Sequence, residues 1–264
     1  MMRLPMSERV LFDVGGGVAR IHFNRPERLN ALDLETARAF LGAVDRAVDH
    51  PGVRVVVLSG EGRAFVSGGD LAHLSAAPDA SAAAGELIDV MHEALLRLRQ
   101  SNLPSIAVLK GNVAGAGVSL ALMTTLAVAA EDTTLNLAYI RVAATPDCGG
   151  SWALTRTVGA RRAAEIALLA EPITADRALQ LGLVNRVVAA EALEDVVREL
   201  ADRLASGPSA AIRQTLSLID SAPDSPLAEQ LTKERDAFVY CAGLADFGEA
   251  VSAFFAKRKP VFNR

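Results

Sequence analysis

Aromatic side chains are scarce: one tryptophan, two tyrosines and nine phenylalanines make up 5% of a 264-residue chain. With 51% hydrophobic residues the chain still has material for a sizeable core. The packing must therefore come from small aliphatic groups, and 48 alanines give it a helical, closely packed character. Cysteine is nearly missing. Cys148 and Cys241 cannot build a disulfide framework, and with four scattered histidines no group has metal-ligand spacing. A reducing compartment, the cytoplasm, and a metal-free site are expected. Charge of one sign is also lacking: 27 basic and 31 acidic residues leave a net charge of −4, and neither sign forms a run of five. A nucleic-acid partner is not expected. Met1 to Arg9 has no apolar core of signal-peptide length. One uncharged run exists, Val113 to Ala130, eighteen residues long, which approaches the length of a membrane span. Gly115, Gly117, Ser119, Thr124 and Thr125 dilute it and it opens on a glycine turn, so a buried helix and no membrane partner are expected.

What is present alternates between strand and helix. Arg9 to Val14 and Val18 to Phe23 read as a hairpin joined by Gly15-Gly16-Gly17. Asp33 to His50 has helical apolar spacing and gives way to the β-branched run Val53 to Leu58. A helix over Glu86 to Arg99, a strand over Ser105 to Leu109, a glycine turn, the buried helix and a strand near Leu126 to Ala129 follow. Beyond Pro146 the chain reads as helices over Ser151 to Leu169, Ala175 to Leu181, Glu191 to Ser206, Ala210 to Ser221 and Leu227 to Phe255, with one strand at Val184 to Val188. This pattern predicts an α/β core with a helical C-terminal appendage.

Three segments could carry chemistry. Arg63 to Asp70 follows a strand and contains Gly68-Gly69, which frees backbone N–H groups or simply makes a turn. Lys110 to Gly117 follows a strand and opens a helix, presenting amides suited to a phosphate or a developing oxyanion, or merely allowing close helix packing. It lacks the spacing of a P-loop or dinucleotide fingerprint. In Pro146-Asp147-Cys148-Gly149-Gly150-Ser151-Trp152, the aspartate either does chemistry or caps the following helix. Cys148 lacks a recognisable histidine partner for a nucleophilic role. His22, His50, His73 and His92 read as surface or structural residues.

Asn24-Arg25-Pro26-Glu27-Arg28-Leu29-Asn30-Ala31-Leu32, the Arg63 to Asp70 segment, Pro104 to Leu122 and the closing Phe254-Phe255-Ala256-Lys257-Arg258-Lys259 together resemble the crotonase, or enoyl-CoA hydratase/isomerase, superfamily. The resemblance is ordered and nearly full length. It implies a spiral α/β core of β-β-α units over residues 1–200, a helical trimerisation region over residues 201–264, and a homotrimer or hexamer. The implied substrate is an acyl-CoA thioester, with no cofactor beyond its CoA moiety. The family's two oxyanion-hole amides fall on the N–H groups of Gly69 and Ala116; alanine replaces the usual glycine, which is tolerable if its φ is negative. Arg28, Leu29, Arg63, Ala64, Ser67, Gly68 and Asp70 match positions that hold CoA, and Phe254 and Lys257 match tail positions that cover it. Leu71, Ser119, Tyr139 and Trp152 are expected to line the acyl pocket. Thr125 replaces an aspartate common at the end of the glycine-rich helix.

The resemblance departs from the family's hydratases at their two glutamates. Those positions read Ser119 and Tyr139, and neither a hydroxyl nor a neutral phenol is a competent base near neutrality. Asp147, eight residues after Tyr139, matches the catalytic aspartate of dienoyl-CoA isomerases, of an aryl-CoA dehalogenase and of the ring-epoxide isomerase of phenylacetate breakdown. The Pro146 to Trp152 string is most like the last of these. An acyl-CoA isomerase with a single-aspartate proton shuttle is the leading expectation. A residual hydratase, an aspartate-nucleophile hydrolase and a non-catalytic acyl-CoA-binding protein are the alternatives.

Overall fold

The computed structural model describes residues 9–262; residues 1–8, which include most of the segment read above for a leader, lie outside it. Gly16 and Gly17 take φ of 62° and 82°, so the chain reverses tightly between β1 (Val10–Gly15) and β2 (Val18–Phe23), an antiparallel hairpin. The Asp33 side chain accepts from the Thr36 amide at 2.8 Å and starts α1 (Leu34–Asp49). That helix returns the chain to β3 (Val55–Gly60), parallel to β2. After α2 (Leu71–Ala76) and α3 (Ala80–Gln100) comes β4 (Ser105–Leu109). The uncharged run then divides into β5 (Asn112–Ala114), α4 (Ala116–Leu122) and β6 (Leu126–Ala130). β7 (Thr134–Asn136), α5 (Gly150–Val158), α6 (Ala160–Leu169), β8 (Ile173–Thr174), α7 (Ala175–Leu181) and β9 (Arg186–Val188) follow. The chain closes with α8 (Leu193–Ala205), α9 (Ser209–Ser221), α10 (Leu227–Ala242) and α11 (Ala245–Phe255).

Six strands form one sheet in the order β1-β2-β3-β4-β6-β9, parallel except at the hairpin. A second sheet, β5-β7-β8, stands apart from it. Both faces of the large sheet are covered, as parallel strands require. On one face Phe23, Phe40 and Phe65 meet, with ring centroids 5.3 and 6.1 Å from Phe23, in a core otherwise built of alanine, valine and leucine. On the other, Val55, Val57, Ile106, Val108 and Val128 pack against Leu193, Val197, Ala201 and Ala205 of α8. Residue 200 thus lies within a helix that packs on the sheet.

Several elements differ from the sequence reading. Within Val113 to Ala130 the expected buried helix is α4 and the expected strand is β6, while the residues read as a glycine turn begin with a further short strand, β5. α3 begins at Ala80 because Asp79 accepts from the Ala82 amide at 3.0 Å and the alanines behind it are strong helix formers. Ser151 to Leu169 breaks at Gly159, and Leu227 to Phe255 breaks at Gly243–Leu244 with a 76° bend. The short strands β5, β7 and β8 add a second sheet that the sequence pattern does not announce. Among the described residues no single helix is long and apolar enough to cross a membrane.

Candidate active site

Arg25, half of an Asn-Arg-Pro turn, is buried and reaches three acceptors: the Ala31 carbonyl, Asp33 at 3.1 Å and Asp70 at 3.0 Å. Asn30 fastens the same loop to the next by donating to the carbonyls of Glu61 at 3.0 Å and Ala64 at 2.9 Å. Burial works to raise the Asp70 carboxyl, but hydrogen bonds from Arg25 and from the His73 and Ala72 amides, with the Arg25 charge, outweigh it and hold it below the usual range. The same balance holds at Asp33, where Thr36, Arg25 and Arg9 are the opposing partners. The Asp70 carboxylate therefore acts as a fastener, starting α2 and tying it to Arg25.

This clamp holds the 63–70 segment between two others. Ser67 donates its amide to the Leu29 carbonyl at 3.1 Å, Ala114 donates to Val66 at 3.2 Å, and Phe65 donates to Lys110 at 3.2 Å. Arg28, Leu29, Arg63, Ala64, Ser67 and Gly68 are thus gathered on adjoining loops. Leu32 donates to the Gly68 carbonyl and Asp70 donates back to Leu32, each at 2.8 Å; that alternation turns the Gly69 amide away from Leu32. Ala116 is the first residue of α4, so its N–H has no partner within the helix. It is not among the residues with positive φ, which meets the condition set for alanine there. A Cβ on Gly68 would stand 3.8 Å from the Ala116 nitrogen, and one on Gly117 would stand 1.9 Å from the Val66 carbonyl oxygen. Main chain lies directly on main chain here. The Gly68–Gly69 main chain and the first turn of α4, to which the Ala116 amide belongs, thus meet at one junction at the positive end of that helix.

Asp147 does not cap α5: Gly149 precedes that helix and no side chain bonds its first turn. Its Oδ1 accepts a hydrogen bond from the Tyr139 hydroxyl, and the Tyr139 oxygen lies 2.9 Å from Ser119 Oγ. Because the one phenolic proton goes to Asp147, Ser119 is the donor in the second bond. Ser119 is fully buried, one turn after Ala116 on the same helix, so the chain Ser119–Tyr139–Asp147 runs from α4 to the carboxylate. Burial, with the Asp147 charge, pushes the Tyr139 phenol well above its usual range and keeps it a neutral donor. The Cys148 thiol is pushed up by burial and by the same charge, so it is no nucleophile. A Cβ on Gly150 would meet Ser119 Oγ at 2.2 Å, which is how closely the 147–150 turn sits on α4.

Other expected positions fall elsewhere. Trp152 does not share the Tyr139 hydrogen-bond chain; its ring lies under two guanidinium groups, Arg99 at 4.5 Å and Arg156 at 4.0 Å. It borders a cavity of about 440 Å³ between α3, α5 and α9, and a cleft of about 430 Å³ reaching Gly149. Leu71 is half-exposed at the start of α2. Phe254 is 77% exposed on α11, and among the described residues neither it nor Lys257 bonds to the loops around Arg28 and Ser67. Thr125 exchanges hydrogen bonds with Ser105, accepting from its amide at 3.1 Å and donating its own amide to the hydroxyl at 3.0 Å; it joins the end of α4 to the start of β4. Sequence reasoning passes over Arg25 as a clamp, although its motif is recognisable, and over His92, whose Nε2 accepts the Cys148 amide at 3.2 Å.

Two loops thus bring the main chain around Gly69 against the start of α4, beside a doubly covered parallel sheet. The enoyl-CoA hydratase/isomerase family model matches residues 13–264. The chain is 35% identical over 259 residues to the 1,2-epoxyphenylacetyl-CoA isomerase of Escherichia coli (strain K12), covering 97% of this chain and 99% of that one. It is 30% identical over 257 residues to the crotonyl-CoA hydratase of Syntrophomonas wolfei, covering 97% and 98%. The crystal structure of an enoyl-CoA hydratase from Polaromonas sp. JS666 matches with a TM-score of 0.90 at 33% identity, covering 96% of this chain and 99% of that one. The chain belongs to the enoyl-CoA hydratase/isomerase family.

Proposed function

We propose that this family member is an acyl-CoA isomerase, moving a double bond or rearranging a ring, and not a hydratase. One observation carries the reading: among the described residues, the carboxylate joined to the oxyanion helix through Tyr139 and Ser119 is that of Asp147, which serves no helix cap. The thioester carbonyl binds against the Gly69 and Ala116 amides, and charge developing on its oxygen is stabilised there. Asp147 removes a proton from one carbon and returns it to another, for which one carboxylate suffices. Ser119 and Tyr139 supply no second carboxylate to direct water. The likeness to the 1,2-epoxyphenylacetyl-CoA isomerase supports the same reading. Arg28, Leu29 and the 63–68 loop hold CoA, Phe254 and Lys257 complete that site from a neighbouring chain in a cytoplasmic homotrimer or hexamer, and no other cofactor takes part.

The experiment is a comparison of wild type with Asp147→Asn on 3-enoyl-CoA and ring-epoxide thioesters in deuterated water, read by mass spectrometry. Isomerisation falls by about 10²- to 10⁴-fold in the variant, with deuterium entering substrate carbon only in the wild type. Undiminished isomerisation by Asp147→Asn removes the shuttle; heavy-oxygen label from water appearing in the Asp147 carboxylate during turnover points instead to covalent attack by that residue.

A further inference from the structure

The peptide group that follows Asp147 is fixed at both of its polar atoms. Its carbonyl accepts from the Gly150 amide at 2.8 Å. Its N–H, on Cys148, donates to His92 Nε2 at 3.2 Å, across 56 residues of sequence. Cys148 itself has φ of 50°, a backbone state that a non-glycine residue holds only when its surroundings enforce it. The Tyr139 hydroxyl holds the carboxylate; the imidazole holds the backbone from which that carboxylate projects. We infer that His92 is a positioning residue for Asp147, acting through the Cys148 amide, and that it works only while Nε2 carries a lone pair. This rests on the assignment of Asp147 as the proton carrier.

The geometry fixes the tautomer. An imidazole that accepts at Nε2 carries its proton on Nδ1 when neutral, and a second proton converts Nε2 to a donor facing a donor. His92 stands on an exposed stretch of α3 at the edge of the 430 Å³ cleft. The cleft wall beside it carries Arg99, with Met123 and Trp152 from the end of α4 and from α5.

Two measurements test this. In protein carrying ¹⁵N-histidine, two-bond correlation spectra at neutral pH give the Nδ1–H pattern for His92, a result that does not depend on any reaction. An Nε2–H pattern overturns the proposal. In kinetics, His92→Leu lowers kcat about five- to tenfold with KM little changed, matching loss of one net hydrogen bond. His92→Gln, whose side-chain oxygen can take the place of Nε2 as acceptor, restores kcat to within about twofold. Gln no better than Leu overturns the proposal. Failure of the shuttle itself is seen separately, as full activity in Asp147→Asn with the His92 tautomer unaltered.

Discussion

Tyr139 has a single proton and two oxygen neighbours, and the direction of its hydrogen bonds decides what Asp147 can do. A phenol that donates to the carboxylate steadies its charge without competing for the substrate proton. Tyr139→Phe removes that donor and leaves the Ser119 hydroxyl pointing at a ring edge. Hydrogen bonds to charged groups contribute about 1.5–3 kcal/mol, so kcat on the isomerase substrate falls by roughly 10- to 100-fold in stopped-flow or coupled assays. The same substitution changes the alkaline limb of stability. Tyr139 keeps its proton in the folded state at pH values where an unfolded tyrosine, near pH 10, has lost it. Folding is then opposed as pH rises past that value, and Tyr139→Phe, measured by urea unfolding between pH 8 and 11, loses less stability over this interval than wild type. Cys148 behaves alike for the same reason: its thiol stays protonated and is not alkylated by iodoacetamide at pH 8 until the chain is unfolded, as peptide mass mapping will record.

At the scale of elements, the clamp from Arg25 to Asp33 and Asp70 fixes three loops against one another. Both carboxyls sit below their ordinary range, so they contribute stability that is complete above about pH 4 and disappears as pH falls through their folded-state values. Arg25→Leu leaves the largely buried Asp70 carboxylate without its cation and Asp33 with Arg9 alone, and costs about 3–5 kcal/mol at pH 7; its thermal midpoint depends less on pH between 5 and 3 than that of wild type. Gly117→Ala drives a methyl group into the Val66 carbonyl and separates α4 from the 63–70 segment, which lowers both the melting temperature and kcat. Much of this level is legible in the sequence. The hairpin, α1 and β3 are marked by local signals: paired glycines, an Asp cap, a β-branched run. The 113–130 segment is legible in its helix and its second strand, but not in β5, where alternating alanine and glycine fit a strand, a turn and a helix equally well. β5, β7 and β8 have two or three residues each, too few for any periodicity. The Tyr139–Asp147 pair is legible through its spacing in a family pattern. His92 is not, since a single histidine on a helix gains meaning only from the left-handed turn that tertiary packing brings beside it.

Across the whole molecule, the apolar surface is distributed unevenly. Leu227, Leu231, Phe238, Val239, Phe254 and Phe255, all on α10 and α11, are more than half exposed, a concentration of the kind that marks an association face. On the proposed trimer or hexamer, Phe238→Asp converts the assembly of 27.7 kDa chains into a species of one-chain mass by light scattering. CoA thioester affinity falls with it on the same proposal, which places Phe254 and Lys257 over a neighbouring chain's CoA. The largest consequence for the family's chemistry comes from a much smaller contact. Ser119 Oγ is enclosed, with the Tyr139 oxygen at 2.9 Å and no room for even a methyl group on Gly150. A glutamate at 119 has to displace either the phenol or the turn that carries Asp147. A carboxylate at 119 and the hydrogen-bond chain from Ser119 to Asp147 are thus mutually exclusive on this backbone, and the choice between them is made by the space available to one side chain.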